Sequence, residues 1–253
     1  MSRQLFTLTL LLALLVSSPA LAWHDATHMA VMAAAGLDNY AYLAVGPDMA
    51  KEKAGRVETR NHFNNTPKGV KITPAMVLAQ VGDYNNKRDA DGHLYGAIVA
   101  ALNDYLKRIP GGKEAHYPLG YAAHYLGDLS MPLHHIGNNA FNKANHAAID
   151  GTVEVTGPPT EPTSVKVSRL AAEIRKRMAL LPPLQLPAAK TDRTAFNQAL
   201  ATEIAAIANR AKAIGYAMQE AKPPRTRLTE EEAYGQLAQS AQLLEAAYAA
   251  MER

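Results

Sequence analysis

The amino-acid sequence predicts an all-α fold built as a single multi-helix domain. Alanine and leucine are abundant, β-branched residues are sparse, and the alternating pattern typical of strands is hard to find. Apolar residues instead recur at helical spacing along most of the chain. Together these patterns favour helices packed around one core over any architecture based on a sheet.

The same spacing places the predicted helices in order along the chain. The segments with helical periodicity are 28–43, 74–84, 94–109, 117–129, 141 to beyond 150, 165–180, 193–220 and 229–251. The last segment opens on Thr229 and three glutamates, which is a capping-box pattern. Two proline-rich stretches, 157–162 and 181–187, cannot lie inside a helix and are predicted to be loops.

The first 22 residues have the pattern of a secretory signal peptide. Arg3 gives a positive start, a short apolar run follows over 5–16, and Ala20-x-Ala22 suits a signal peptidase. The apolar run is shorter than the roughly 18 to 20 residues that span a bilayer, which disfavours a membrane anchor. We therefore expect cleavage behind Ala22 and a secreted or periplasmic domain of residues 23–253.

Charge and cysteine content limit the possible functions. The chain has 26 Lys and Arg residues against 23 Asp and Glu, a net charge of +3. Loss of Arg3 with the signal peptide lowers this to +2, which does not by itself argue for nucleic acid or an anionic membrane. There is no cysteine, so disulfides and thiolate zinc sites are excluded. Any metal site must use His, Asp, Glu and backbone groups.

Histidine is the residue type that points to chemistry, and the chain has nine. His124 and Asp128 are four residues apart, so on a helix they share a face, and such a pair can hold zinc. Pro132 should end that helix and present His134 from the following turn. The pair formed by His146 and Asp150 repeats the spacing. On spacing alone, a metal site and ordinary His–Asp hydrogen bonds are equally open interpretations.

The ordered set of such residues carries a family resemblance. In order it reads Trp23 as a new N-terminus, His28, Asp48, His62, His124-Tyr-Leu-Gly-Asp128, His134 and His146-x-x-x-Asp150. This set resembles the zinc-dependent phospholipase C and P1/S1 nuclease superfamily, and the resemblance covers most of residues 23–253. It implies an all-α domain of the phospholipase C/P1 nuclease type, with three zinc ions at the base of a cleft.

The resemblance also implies a role for each residue. The Trp23 amino nitrogen and carbonyl oxygen, with His28, would hold one zinc ion, and Asp48, His62 and His124 would hold a second. Asp128 would bridge these two, and His134, His146 and Asp150 would hold the third. Asp48 and Asp128 are the implied catalytic residues, because closely spaced zinc ions generate hydroxide near neutral pH and a nearby carboxylate helps to remove the proton. For His24, His93, His116 and His135 we predict structural or surface roles.

The sequence leaves three hypotheses open for the function of the protein. The first is a phospholipase C that acts on phospholipid at a membrane surface and releases diacylglycerol and a phosphorylated headgroup. The second is a nuclease or nucleotidase for single-stranded nucleic acid, which needs an aromatic platform such as Phe63, Phe141, Tyr40 or Tyr42. The third is a non-catalytic, zinc-stabilised module. The aromatic residues of the choline pocket are not matched, so the headgroup is open. We expect a monomer without a protein partner.

Overall fold

The computed structural model of the protein describes residues 23–111 and 113–253. The predicted signal peptide and the cut behind Ala22 lie outside these residues. Within the described ranges every regular element is helical and no strand occurs, which confirms the all-α prediction and the single domain. None of the helices in those ranges is long and apolar enough to cross a membrane.

Ten α-helices are found in the described residues. Their bounds are α1 Asp25–Ala34, α2 Gly46–Ala54, α3 Arg56–Thr59, α4 Pro74–Ala79, α5 Leu94–Arg108, α6 His116–Ser130, α7 Ala140–Asp150, α8 Thr163–Met178, α9 Arg193–Glu220 and α10 Glu230–Glu252. The 3-10 helices that matter for the site are Asp38–Val45, before α2, and Pro132–His135, after α6. The longest helices, α9 and α10, follow the predicted bounds closely, as do α5, α6 and α8.

The predicted capping box at the start of α10 is present. The Thr229 hydroxyl accepts a hydrogen bond of 3.1 Å from the Glu232 amide, and the Glu232 carboxylate accepts one of 2.9 Å from the Thr229 amide. The two proline-rich stretches, 157–162 and 181–187, are irregular as predicted. Local sequence rules thus place both the start of this helix and the loops correctly.

The N-terminal half departs from the predicted helix bounds. The single helix predicted over 28–43 is split, because Gly36 adopts a φ of 81° and ends α1 before a 3-10 helix begins at Asp38. The helix predicted over 74–84 is α-helical only to Ala79 and continues as 3-10 helix. The helix predicted beyond Asp150 ends at that residue. Helices α2 and α3 are not predicted by the periodicity.

Helix α6 lies at the centre of the fold, with α1, α5, α9, α10 and the 3-10 helix Asp38–Val45 packed around it. Its second half is buried on every side, and Tyr125, Leu126 and Leu129 have no exposed surface. Two glycines allow the closest neighbours to approach. A Cβ at Gly120 would collide with the backbone of Leu43, and one at Gly127 would collide with the ring of His28. The polar residues of α6 are therefore enclosed by its neighbours.

Candidate metal centre

Eight of the predicted site residues lie together in the structure, although they come from separate elements. They are His28 on α1, Asp48 in the first turn of α2, His62 in the irregular segment after α3, His124 and Asp128 on α6, His134 in the 3-10 helix Pro132–His135, and His146 and Asp150 on α7. Seven of them are buried, and the eighth, His146, has 14% of its side chain exposed. The fold thus gathers distant polar residues into one enclosed cluster.

The α6 pair lies at the middle of this cluster. Nε2 of His124 is 3.4 Å from Oδ2 of Asp128, as expected for a four-residue spacing on one helix face. Helix α6 ends at Ser130, because Pro132 disfavours the helical conformation of the residue before it, and this confirms the predicted boundary. The chain then turns and places Nδ1 of His134 3.5 Å from Oδ1 of Asp128.

Asp128 is in contact with four of the other predicted ligands. Besides His124 and His134, its Oδ1 lies 3.6 Å from Nε2 of His28 and its Oδ2 lies 2.8 Å from Nδ1 of His62. The four imidazoles belong to four different elements of the chain. The single buried carboxylate of Asp128 thus contacts donors on α1, on the segment after α3, on its own helix α6 and on the 3-10 helix Pro132–His135. The contributing elements that it does not contact in this way are α2 and α7.

The donor atoms form three groups, and within each group they all lie within 4.8 Å of one another. The groups are His28, Asp48 and His124; His62, His124 and Asp128; and His134, His146 and Asp150. A tetrahedral zinc ion with bonds of about 2.0–2.2 Å holds its donors roughly 3–4 Å apart. In the third group the Nε2 atoms of His134 and His146 are 3.1 Å apart, and His146 Nε2 is 3.5 Å from Asp150. This spacing suits a metal ion.

The first two groups are less separate than the sequence implies, because Asp48 and His124 lie near both His28 and His62. The expected trio of Asp48, His62 and His124 does meet, since Asp48 Oδ1 lies 3.8 Å from His62 Nδ1 and 3.5 Å from His124 Nε2. Asp48 and His124 also form a group with His28, whose ring stacks on that of His124 with centroids 3.7 Å apart. Two neighbouring metal positions would therefore draw on one common set of side chains.

Several buried donor atoms in the cluster have no hydrogen-bond partner among the described residues. They include both ring nitrogens of His28 and both carboxylate oxygens of Asp150, and each residue has no exposed surface. Leaving a buried polar group unpaired costs about 1–3 kcal/mol. A bound cation would satisfy these atoms, and imidazole with carboxylate is a donor set that zinc accepts. The residues present thus fit the metal that the sequence implies.

Charge balance leads to the same interpretation. Burial lowers the pKa of His28 to about 3 and that of His124 and His146 to about 4, so these imidazoles stay neutral near pH 7. Burial also raises the pKa of Asp128 and Asp150 well above the ordinary range, because a carboxylate anion is costly without a nearby positive charge. Neutral histidines and ionised carboxylates are the ligand forms that a divalent cation selects.

Two of the histidines are held from outside the cluster by neutral oxygen atoms. Nδ1 of His124 lies 2.7 Å from the carbonyl oxygen of Ala44, and Nδ1 of His146 lies 2.7 Å from Oδ1 of Asn142. In each case Nδ1 can donate its hydrogen outward, which leaves the lone pair of Nε2 facing the cluster. The local fold thus selects the ring nitrogen that would bind metal.

Trp23 is buried at the edge of the same region. Its indole Nε1 donates a hydrogen bond of 2.9 Å to Oγ of Ser130, two residues beyond Asp128 on α6. This contact fixes the start of the described chain beside the cluster. The free amine that the sequence analysis assigns to Trp23 depends on a cut outside the described residues, so its role as a ligand stays a prediction.

Lys51 is a site residue that the sequence analysis does not identify. Its ammonium nitrogen lies 2.6 Å from Oδ1 of Asp48, and 17% of its side chain is exposed. Burial acts to raise the pKa of Asp48, but His124 and Lys51 outweigh it and hold that pKa below the usual value. Asp48 is therefore ionised. The i, i+3 spacing of Asp48 and Lys51 is common on helices, so it gave no specific signal.

Glu58 is the second residue missed. It lies on α3, is 4% exposed, and has one carboxylate oxygen 3.2 Å from Nε2 of His62. Burial raises its pKa to about 7, against the opposing hydrogen bonds from Tyr125 and Asn61. The only sequence signal is a Glu four residues before a candidate ligand, within a segment that the periodicity leaves unassigned.

The other four histidines lie outside the three groups. His93 and His135 are fully buried and hydrogen-bonded: His93 contacts Asp89 and Asn61, and His135 contacts Tyr95 and the carbonyl oxygen of Leu129. His116 stacks on Tyr40, and His24 is partly exposed beside Glu154. These surroundings agree with structural or surface roles.

Comparison of the chain with protein-family models, with curated proteins and with solved structures finds no match. The resemblance to the phospholipase C/P1 nuclease superfamily therefore rests on the motif residues alone. What the structure adds independently is the meeting of eight motif residues in one buried cluster.

Proposed function

We propose that the protein is an exported, zinc-dependent phosphoric ester hydrolase, with phospholipid as its preferred substrate. The observation that carries this proposal is the chain of three adjacent His/Asp groups linked through Asp128 and His124. Zinc bound in such groups supplies Lewis acidity and lowers the pKa of coordinated water. The two groups that share His124 would hold two neighbouring ions, and His134, His146 and Asp150 would hold a third, so all three could neutralise charge on a phosphoryl group.

The residues of the chain itself have distinct parts in this proposal. Asp128 would offset the mutual repulsion of neighbouring cations, because its two oxygens face different imidazoles. Asp48 remains ionised beside Lys51 and is the carboxylate positioned to accept a proton. The ammonium of Lys51, partly open to solvent, adds a fixed positive charge that favours an anionic phosphoryl group.

Two features near the cluster favour phospholipid. Met49, which follows Asp48 in the chain, is 68% exposed, so an apolar side chain faces solvent beside a residue that carries one of the donors. Desolvation raises the pKa of Asp25, and the nearby carboxylate of Asp48 raises it further. An acidic side chain at this position would attract the cationic end of a zwitterionic headgroup.

One observation favours single-stranded nucleic acid as the second candidate substrate. Phe63 follows His62 directly, is partly exposed, and has the guanidinium of Arg60 5.5 Å from its ring centroid. An aromatic ring paired with arginine is a platform on which a nucleobase can stack, worth about 1–3 kcal/mol per base. Against this, the mild net charge of the chain provides no broad track for phosphates.

A side-by-side assay tests the proposal. The cleaved, zinc-loaded protein is incubated with phosphatidylcholine vesicles, phosphatidylethanolamine vesicles and single-stranded DNA, with the chelator-treated protein as control. We expect release of phosphorylated headgroup and diacylglycerol only from the loaded protein. Cleavage of DNA without lipid turnover would replace phospholipase by nuclease. No cleavage of any phosphoric ester, by a protein that holds zinc, would reject the hydrolase proposal.

Variants sharpen the choice of substrate. Phe63→Leu removes the aromatic face and keeps an apolar side chain, so it should lower turnover of DNA about tenfold or more while leaving lipid turnover unchanged. Met49→Ser should have the opposite pattern, because it removes exposed apolar surface and leaves the donors intact. If the two variants lower both activities equally, neither residue selects the substrate.

A further inference from the structure

Glu58 contacts the metal cluster from outside and belongs to none of the three donor groups. Its side chain is buried at the end of the short helix α3, and Nε2 of His62 lies 3.2 Å from its Oε1. The same oxygen accepts a hydrogen bond of 2.6 Å from the Tyr125 hydroxyl, and Oε2 accepts one of 3.3 Å from the Asn61 amide. A buried carboxylate is thus directed at one particular imidazole.

The opposite edge of that imidazole faces the cluster. Nδ1 of His62 lies 2.8 Å from Oδ2 of Asp128 and 3.2 Å from Nε2 of His124. A neutral imidazole carries one hydrogen, on one of its two nitrogens. If Nε2 donates that hydrogen to Glu58, the lone pair of Nδ1 is left to bind metal. The contact with Glu58 therefore decides which nitrogen of His62 acts as the ligand.

His62 differs from His124 and His146 in the kind of group that its outer nitrogen contacts. The outer nitrogens of His124 and His146 face neutral oxygens, from Ala44 and Asn142, whereas that of His62 faces a carboxylate. A carboxylate partner makes the imidazole a stronger donor to metal than a carbonyl partner does. The two kinds of outer partner would give neighbouring metal positions unequal affinities.

Glu58 is itself held in place by a hydrogen-bonded network. Asn61, which donates to Glu58, also donates to Asn85 at 2.9 Å, and its carbonyl oxygen lies 2.9 Å from Nε2 of His93. His93 in turn contacts Asp89 at 3.0 Å. These contacts leave the carboxylate little freedom to rotate, which is the property required of a group that orients a ligand.

We propose that Glu58 is a positioning residue of the metal centre: it holds His62 with Nδ1 toward the metal, and Tyr125 and Asn61 hold Glu58. This inference rests on the proposed metal centre but not on the identity of the substrate. Removing outer partners of metal-binding histidines typically costs 10–100-fold in metal affinity. Loss of Glu58 should therefore weaken zinc selectively at the position that includes His62.

The test compares Glu58→Gln and Glu58→Leu with Tyr125→Phe and the unchanged protein, all cleaved behind Ala22. Glu161→Gln is the matched control. The carboxylate of Glu161 is mostly buried and is hydrogen-bonded to Arg169, which is not one of the donor residues. Zinc affinity is measured by competition with a chromophoric chelator, zinc content by elemental analysis, and helix content by circular dichroism. The visible spectrum of the cobalt-substituted protein reports the ligand geometry.

We expect one of the bound zinc ions to be weakened about tenfold or more in Glu58→Leu. The effect should be smaller in Glu58→Gln, whose amide oxygen can still accept from His62 as that of Asn142 does from His146, and in Tyr125→Phe. The other ions, the helix content and the Glu161→Gln control should be unchanged, and the cobalt spectrum should change in the Glu58 variants alone. Equal zinc affinity and an unchanged cobalt spectrum in both Glu58 variants would overturn the inference. A protein that holds zinc without hydrolysing any substrate would reject only the proposed hydrolase. An unchanged protein that binds no zinc would overturn both.

Discussion

The imidazole of His28 lies against the backbone of Gly127, so closely that a Cβ at position 127 would stand 2.8 Å from its Cε1 and nearer still to its Nδ1. Both residues are fully enclosed, so neither the ring nor α6 has room to retreat. We expect Gly127→Ala to displace His28 and to lower the zinc content by about one ion per chain. Elemental analysis of the purified variant measures this loss.

A second glycine substitution provides the control. Gly235 lies inside α10, and a Cβ built there would have no neighbour within 4 Å. Gly235→Ala should therefore keep the full zinc content and gain up to about 1 kcal/mol of stability, since alanine favours the helix. If Gly127→Ala retains the zinc content and stability of the unchanged protein, the close packing of His28 has no bearing on metal.

The third donor group should be separable from the other two by mutation. Asp150→Asn keeps the size of the side chain but removes its charge, and neither oxygen of Asp150 has a hydrogen-bond partner among the described residues. We expect the loss of about one zinc ion and a fall in hydrolysis on the order of 100-fold, the scale of losing one electrostatic stabiliser. His116→Ala, which alters a histidine stacked on Tyr40, should leave zinc content unchanged. Full zinc content in Asp150→Asn would contradict this assignment.

Retaining one extra residue before Trp23 should weaken a zinc ion and lower activity. The extra residue converts the proposed ligand amine into an amide, which is a poor metal donor, while the side chain of Trp23 keeps its contact with Ser130. Zinc content and hydrolysis are compared between the cleaved protein and one that carries an added glycine. Ser130→Ala tests the indole contact separately, because it removes that hydrogen bond, at a cost of about 1 kcal/mol, and leaves the amine free. Equal zinc content with and without the added glycine would refute the role of the amine.

The zinc-free protein should lose stability as the pH falls from about 6.5 toward 4. Burial lowers the pKa of His124 and His146 to about 4, so below pH 6.5 the unfolded chain takes up protons that the folded chain does not. Each histidine contributes about 1.4 kcal/mol for every unit of its pKa shift. Asp128 and Asp150 act in the opposite sense, because their raised pKa stabilises the folded state at low pH.

Glu58 and Asp25 have a raised pKa as well and act in the same sense as these aspartates. The six histidines with lowered pKa outnumber these four acidic residues, and so the loss of stability on acidification should dominate. The measurement is urea unfolding of chelator-treated protein at pH 7, 6, 5 and 4.5. The midpoint should fall steadily across this range. A midpoint that rises as the pH is lowered would show that protonation of Asp128 and Asp150 outweighs that of the histidines.

The sequence predicts the helical class, the long helices and the α6 motif because these depend on local patterns. Helices α9 and α10 are long, rich in alanine and free of proline, and Thr229 supplies a recognisable cap. Helices α2 and α3 are missed because they are short and mostly exposed, so they leave no apolar stripe. The break of the first predicted helix depends on one residue, Gly36, whose positive φ is not obligatory for glycine.

The candidate ligands are predicted better than their surroundings. Residues such as His124 and Asp128 are found from spacing on one helix, and the remaining ligands from a resemblance that fixes their order along the chain. The contacts of Lys51 and Glu58 are set by how α2 and α3 pack, which no spacing rule describes. The buried network from Glu58 through Asn61 to His93 likewise joins residues only after folding.

The shared carboxylate of Asp128 has a consequence for how the protein would take up metal. The two oxygens of Asp128 face histidines of four separate elements. An ion bound by one of these oxygens would therefore fix the orientation in which the other oxygen is presented to a second ion. Binding of zinc at one of the two positions that share His124 and Asp128 should then favour binding at the other, and a zinc titration would give a steeper curve than independent sites allow. The order in which the positions fill would thus be set by one buried carboxylate at the middle of the fold.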